Sequence, residues 1–157
     1  MAFFFHKTNY QKSNARTCTN FPISSHAKKL SKEILQSTDN IIRQTLSNDL
    51  LDELADLSQI DIVHVKISDK KQYHKKRNGK IVMKQYGYYK PGTHYIYITN
   101  KTAVQGKILA PKTFFDTLLH EWMHHYDYCK LKLNSIHTAG FYARLKNIKT
   151  KLGYFDQ

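Results

Sequence analysis

Residues 114–128, FFDTLLHEWMHHYDY, restrict most strongly what this chain can become. Phe114, Phe115, Leu118, Leu119, Trp122, Met123 and Tyr126 recur at intervals of three and four, the period of a helix with one wide apolar face. Pro111 stands where the first turn of such a helix tolerates proline, and the pattern runs to about Leu131. Set into this stretch is His120-Glu121-Trp122-Met123-His124. Residues four apart stack on one helix face. The two imidazoles therefore point the same way and can share one metal ion, with the Glu121 carboxylate beside them.

The remaining pattern surrounds that helix with smaller elements. Ser24 or Ser25 caps a helix running to about Gln36, with Leu30, Ile34 and Leu35 as its stripe. A second helix starts after Asp39 and carries Ile41, Ile42, Leu46, Leu50, Leu51, Leu54 and Leu57. At Ile60 the apolar period changes to two: Ile60, Ile62, Val63, Val65 and Ile67 read as a strand. Residues 81–90 and 94–99 read as two more, separated by turns at Asn78-Gly79 and Pro91-Gly92. The simplest topology for three successive strands is an antiparallel meander. Thr138 caps a last helix carrying Phe141, Leu145, Ile148 and Leu152, closed by Gly153. Residues 1–22 show no clear period and read as an arm or strand of low order. At 157 residues, without repeat or linker, the expectation is a single α+β domain over 1–157. It has N-terminal helices, a small three-stranded antiparallel sheet, the HExxH helix and a C-terminal helix.

Charge divides the chain. Residues 1–69 hold 8 Lys/Arg and 8 Asp/Glu, whereas residues 70–157 hold 17 and 4. The whole excess of +13 thus lies on the half with the HExxH motif, a field that favours DNA or another polyanion. Lys70, Lys71, Lys75, Lys76, Arg77 and Lys80 cluster around Asn78-Gly79 and are the candidate nucleic-acid contacts. Cys18 and Cys129 give neither a disulfide framework nor a zinc ribbon, and Cys129 reads as a small buried apolar residue. No apolar stretch approaches the ~20 residues of a membrane span. The opening Ala2-Phe3-Phe4-Phe5 is too short for the apolar core of an export signal. The expected protein is a cytoplasmic, intracellular monomer with no membrane partner.

A catalytic Zn²⁺ takes three protein ligands and keeps one open position. Glu121 is the last glutamate, so no later glutamate supplies the third ligand, and Asp127 and Lys130 stand where an HExxHxxGxxH pattern needs Gly and His. Downstream donors are His125, Asp127, His137 and Asp156. His125 points about 100° from His124 around a helix. His137 follows a turn, at the start of the next helix, and is the preferred ligand. Asp127, three residues past His124, is its competitor, or else orients a ligand imidazole from behind.

Thr117-Leu118-Leu119-His120-Glu121-Trp122-Met123-His124, followed by His137-Thr138-Ala139-Gly140-Phe141, resembles the SprT-like zinc metallopeptidases. In that family a third His just before another helix follows the HExxH helix, with an aromatic residue shortly after. Residues 95–100 are similar to the strand preceding the family's active-site helix, so the likeness spans roughly residues 85–152. The resemblance implies one Zn²⁺ on His120, His124 and His137, with Glu121 as general base. It also implies peptide-bond hydrolysis, in some members on proteins crosslinked to DNA. Many members carry a cysteine zinc ribbon or DNA-binding tail after the core. This sequence ends about twenty residues after His137, so a core without that ribbon is expected. Gly140 lies three residues after His137, where many members have glycine immediately after it.

In such a reaction the tetrahedral oxyanion needs a second electrophile besides the metal. Tyr86, Tyr88, Tyr89, Tyr142 and Tyr154 are candidates, and spacing does not choose among them. A protein or peptide substrate is the expected partner. Two other readings are a basic nucleic-acid-binding module whose zinc site is only structural, and a zinc hydrolase acting on a bond other than a peptide.

Overall fold

Four helices begin at a side chain that accepts the backbone N–H three residues on. Thr8, Ser24, Asp39 and Thr138 start α1 (Asn9–Ala15), α2 (Ser25–Ile34), α3 (Asn40–Ser58) and, last in the chain, α5 (Ala139–Lys151). Helix α4 (Pro111–Cys129) has no such cap and starts on Pro111. Between α3 and α4 run β1 (His64–Lys71), β2 (Tyr73–Arg77), β3 (Lys80–Gln85), β4 (Gly87–Lys90) and β5 (Tyr95–Lys101), with a 3-10 turn at Pro91–Thr93. The computed structural model describes residues 6–71, 73–77, 80–102 and 105–154, with the side chains of all these outside 71–85. The class is α+β, as expected.

The sheet is not an antiparallel meander. Its order is β1-β5-β4, with β5 parallel to β1 (His64 opposite Tyr95, Ser68 opposite Thr99) and antiparallel to β4 (Gly87 opposite Ile98). The expected strand over 81–90 divides at Tyr86. Its first part pairs with β2 in a separate two-stranded ladder, and its second becomes β4. Period-two alternation is the same in parallel and antiparallel strands, so the pattern carries no direction. The tight turn gives β4 the antiparallel edge of β5 and leaves the other edge to β1.

Val65, Ile67, Ile96 and Ile98 are buried on the sheet, and α3 and α4 pack against it. All seven apolar side chains predicted for α4 are at most 1% exposed. At about 1.5–3 kcal/mol per large apolar side chain buried, they fix α4 as the axis of the fold. Gly87 brings β4 onto α4: a Cβ there would stand 2.6 Å from the Tyr97 carbonyl oxygen and 3.4 Å from Thr117 Cγ2.

Two buried arginines tie the layers together. On α3, Ile41 and Ile42 face outward, contrary to the apolar reading, because Arg43 takes the inward position. Its guanidinium donates to Asn100 Oδ1 (2.7 Å) and the Ser37 carbonyl (2.7 Å) and lies over Phe114. Arg144 on α5 donates to the carbonyl oxygens of Ser13 and Arg16, which anchors α1. Residues 6–22 are therefore not an arm of low order. Thr8 and Gln11 form a capping box, and α1 packs on the start of α5. Gly140 makes that approach possible: a Cβ there would collide with the Ser13 carbonyl and come within 2.7 Å of Asn14 Cα. A helix of seven polar-rich residues has too little apolar period to announce itself. None of the described helices is long and apolar enough to cross a membrane.

Candidate metal centre

Helical spacing sets His120 and His124 one turn apart on α4, and the segment before α5 returns His137 over them. Its Nε2 lies 3.0 Å from His120 Nε2 and 3.1 Å from His124 Nε2. Three imidazole nitrogens thus converge on one point, and together they form a group able to hold a metal ion. A neutral imidazole has one N–H, so His137 can satisfy at most one of its two partners; a cation would satisfy all three. Burial, with the neighbouring imidazoles adding to it, pushes His120 down to about 4 and His124 down to about 3. Both rings are neutral at neutral pH, the form that binds a metal. Phe141, one turn into α5, braces the cluster: its ring stacks on His124 at 4.7 Å and meets His120 and His137 edge-on at 5.1 and 5.3 Å.

Behind His124 runs a chain of polar contacts that fixes its tautomer. Ser135 Oγ donates its one proton to Asp127 Oδ2 (2.8 Å). It can then only accept from His124 Nδ1–H (2.8 Å), which leaves Nε2 bare and facing the cluster. Asp127 is fully buried and clamped by Arg144, which donates Nε to Oδ1 (3.0 Å) and Nη2 to Oδ2 (2.7 Å). Burial pushes the Asp127 carboxyl up, and Arg144 and Ser135 pull it back. Both of its oxygens are committed, so Asp127 orients the His124 imidazole through Ser135 and is not itself in the converging set.

No family model, curated protein or solved structure matches this chain.

The cluster opens into a cleft of about 1210 Å³, whose walls include β4, the Pro91–Thr93 turn, α4 and residues 130–137. Glu121 lines it beside His120 and His124. Burial raises its carboxyl to about 7, with no second cause opposing it. His125, weighed as a ligand, is turned away: its Nε2–H donates to the Asp61 carbonyl and its Nδ1 accepts from Tyr89 O–H, both at 2.7 Å.

The tyrosine candidates separate by position. Tyr142 is exposed, with its ring 6.4 Å from that of His120 and 6.0 Å from that of His137. Tyr88 lines the cleft and stacks on Tyr97, whereas Tyr89 spends its hydroxyl on His125. Tyr86 packs against the core, and Tyr154 is buried against Phe115; neither lines the cleft. Lys70 is exposed at the end of β1 and away from the cleft lining. The side chains of Lys71, Lys75, Lys76, Arg77 and Lys80 lie outside the described residues, although their backbone forms the end of β1, β2 and the start of β3. Two residues of the site had no signal in the sequence. Ser135 reads as one more turn residue, and Arg144 becomes informative only once Asp127 is known to be buried.

Proposed function

We propose that this chain is a zinc metallopeptidase of the SprT-like type that hydrolyses peptide bonds with water activated by Glu121. The observation carrying the reading is the convergence of three imidazole Nε2 atoms beside a buried carboxyl in an open cleft. Nitrogen donors at about 2.0–2.1 Å from a tetrahedral ion stand roughly 3.4 Å apart, so the present spacings of 3.0 and 3.1 Å need only a slight opening. The donors fit Zn²⁺, a borderline-soft ion suited to imidazole. Zn²⁺ held by His120, His124 and His137 would polarise the scissile carbonyl and lower the pKa of a water toward ~7.

The chain's own groups supply the proton transfers. Glu121 takes the proton of the attacking water and delivers it to the leaving amine. Tyr142, whose ring lies beside those of His120 and His137, donates a hydrogen bond to the developing oxyanion. The cleft accepts an extended segment of a protein or peptide.

Cleavage of an unfolded protein such as casein tests the reading. Wild type cleaves and a chelator stops it. Glu121→Gln keeps the zinc of the histidine cluster and loses cleavage, and His137→Ala loses that zinc. Cleavage by Glu121→Gln at the wild-type rate would remove Glu121 as base.

The charge distribution supports a second reading, a nucleic-acid-binding module with a structural zinc site. The excess of basic residues lies in 70–157, and Lys130 and Lys132 line the cleft. Tight, salt-dependent DNA binding without proteolysis is the outcome that favours it.

A further inference from the structure

We propose that Asp61, His94 and Cys129 form a second divalent-metal site in the same cleft, selective for ions that accept a thiolate. The three belong to different parts of the fold: Asp61 to the segment between α3 and β1, His94 to the turn between β4 and β5, and Cys129 to the last residue of α4. All three line the cleft, and one donor atom from each lies within 4.8 Å of the other two. Asp61 Oδ2 is 3.9 Å from His94 Nδ1, and Cys129 Sγ is 3.9 Å from His94 Nε2. Donors around one zinc-sized ion, at about 2.0–2.3 Å from it, stand roughly 3.3–3.6 Å apart. These contacts use different nitrogens of His94, and an ion takes only one of them; with Nε2, the nitrogen toward Cys129, as the donor, the exposed Asp61 side chain swings across to complete the set.

The surroundings hold these donors in place, and Cys129 Sγ also lies 3.6 Å from His125 Nδ1. His125 spends both ring nitrogens on Asp61 O and Tyr89 O–H, and so fixes the Asp61 backbone against α4. The His94 carbonyl accepts from His64 N–H (2.8 Å), which secures the turn to the start of β1. His94 itself is left-handed (φ 48°, ψ 57°), a conformation in which Gly or Asn would be more at ease. An imidazole therefore stands where the backbone does not favour one. Its ring packs edge-on against His125 (5.1 Å) and Tyr128 (6.0 Å), with one nitrogen toward Cys129 and the other toward Asp61.

The donor chemistry names the ion class. One thiolate, one imidazole and one carboxylate suit Zn²⁺, Co²⁺ or Cd²⁺ and not Mg²⁺ or Ca²⁺, which require oxygen donors. Cys129 binds after releasing its proton to solvent. Three protein donors leave room for a water or a substrate group. The site shares no residue with the His120–His124–His137 cluster. An ion there joins the two loops that wall the cleft to the end of α4, so occupancy fixes the cleft's width.

Cobalt discriminates between the sites, because an all-imidazole cluster cannot produce a sulfur-to-cobalt charge-transfer band. The titration uses the full chain carrying Cys18→Ser, which removes the exposed second thiol. We expect two equivalents of Co²⁺ to bind, with the charge-transfer band belonging to one of them. Cys129→Ser removes the band and one equivalent. So does His94→Asn, which suits the left-handed backbone and so keeps the fold. In His120→Ala the band persists. Absence of the band at saturating Co²⁺, or a band unchanged by His94→Asn, overturns the proposal. A band with no binding at the histidine cluster would instead refute the zinc-peptidase reading and leave this site standing.

Discussion

Ser135→Ala isolates the polar chain behind His124 from everything else that holds the protein together. The hydroxyl is the only link between His124 Nδ1 and the Asp127 carboxylate. Its removal does not orphan Asp127, which keeps both contacts to Arg144. The fold should therefore lose only about the 1 kcal/mol of an ordinary hydrogen bond. The effect on metal binding should be larger. Without an acceptor for Nδ1–H, His124 loses its fixed tautomer and ring angle, and losses of this kind cost about 10- to 100-fold in metal affinity, or roughly 1.4–2.7 kcal/mol. Zinc affinity is measured by competition with a chelating dye at fixed pH, and stability by urea unfolding of the metal-free protein. Ser135→Thr retains a hydroxyl and should recover most of the affinity. If Ser135→Ala binds zinc as wild type does, the tautomer argument is wrong. If it unfolds as readily as a broken buried ion pair would, Ser135 is a structural residue and its contact with His124 is incidental.

Other substitutions probe the same support from different sides. Arg144→Ala leaves the Asp127 charge buried and unpaired, so urea unfolding should show a loss of about 3–5 kcal/mol. Gly140→Ala drives a methyl into the Ser13 carbonyl. We expect about 1–3 kcal/mol of destabilisation, read as a lowered thermal midpoint. Glu121→Gln, by contrast, should bind zinc and unfold within about 1 kcal/mol of wild type while losing cleavage, because burial alone shifts the carboxyl and no ion pair among the described residues is broken. Zinc added to the metal-free protein should raise its thermal midpoint in proportion to the logarithm of free zinc, and His137→Ala should flatten that response.

Much of this was legible in advance because it depends on local period. The α4 stripe and the pairing of His120 with His124 follow from 3.6 residues per turn. Ser24, Asp39 and Thr138 announce helix starts by their own chemistry. The structure brings His137 Nε2 beside His120 and His124 and sets Asp127 behind His124 through Ser135. What stayed hidden depends on long-range geometry. Strand direction leaves no trace in an alternating pattern, so β1 beside β5 could not be read. The strand over 81–90 divides because its two parts find different partners. Arg43 facing inward, Ser135 accepting a hydrogen bond from His124, and Asp61 meeting His94 and Cys129 are meetings between segments that no spacing rule relates.

The contact between Gly140 and α1 extends the reach of the histidine cluster toward the start of the chain. Ser13 and Arg16 offer carbonyl oxygens to Arg144, which holds Asp127, which holds Ser135, which sets His124. A cut, a fusion or a bound partner that lifted residues 9–16 away would strip the guanidinium of three acceptors and loosen the His124 imidazole four contacts away. Helix α1 is thus a lever on the orientation of His124, and a change made far from the cleft reaches the histidine cluster.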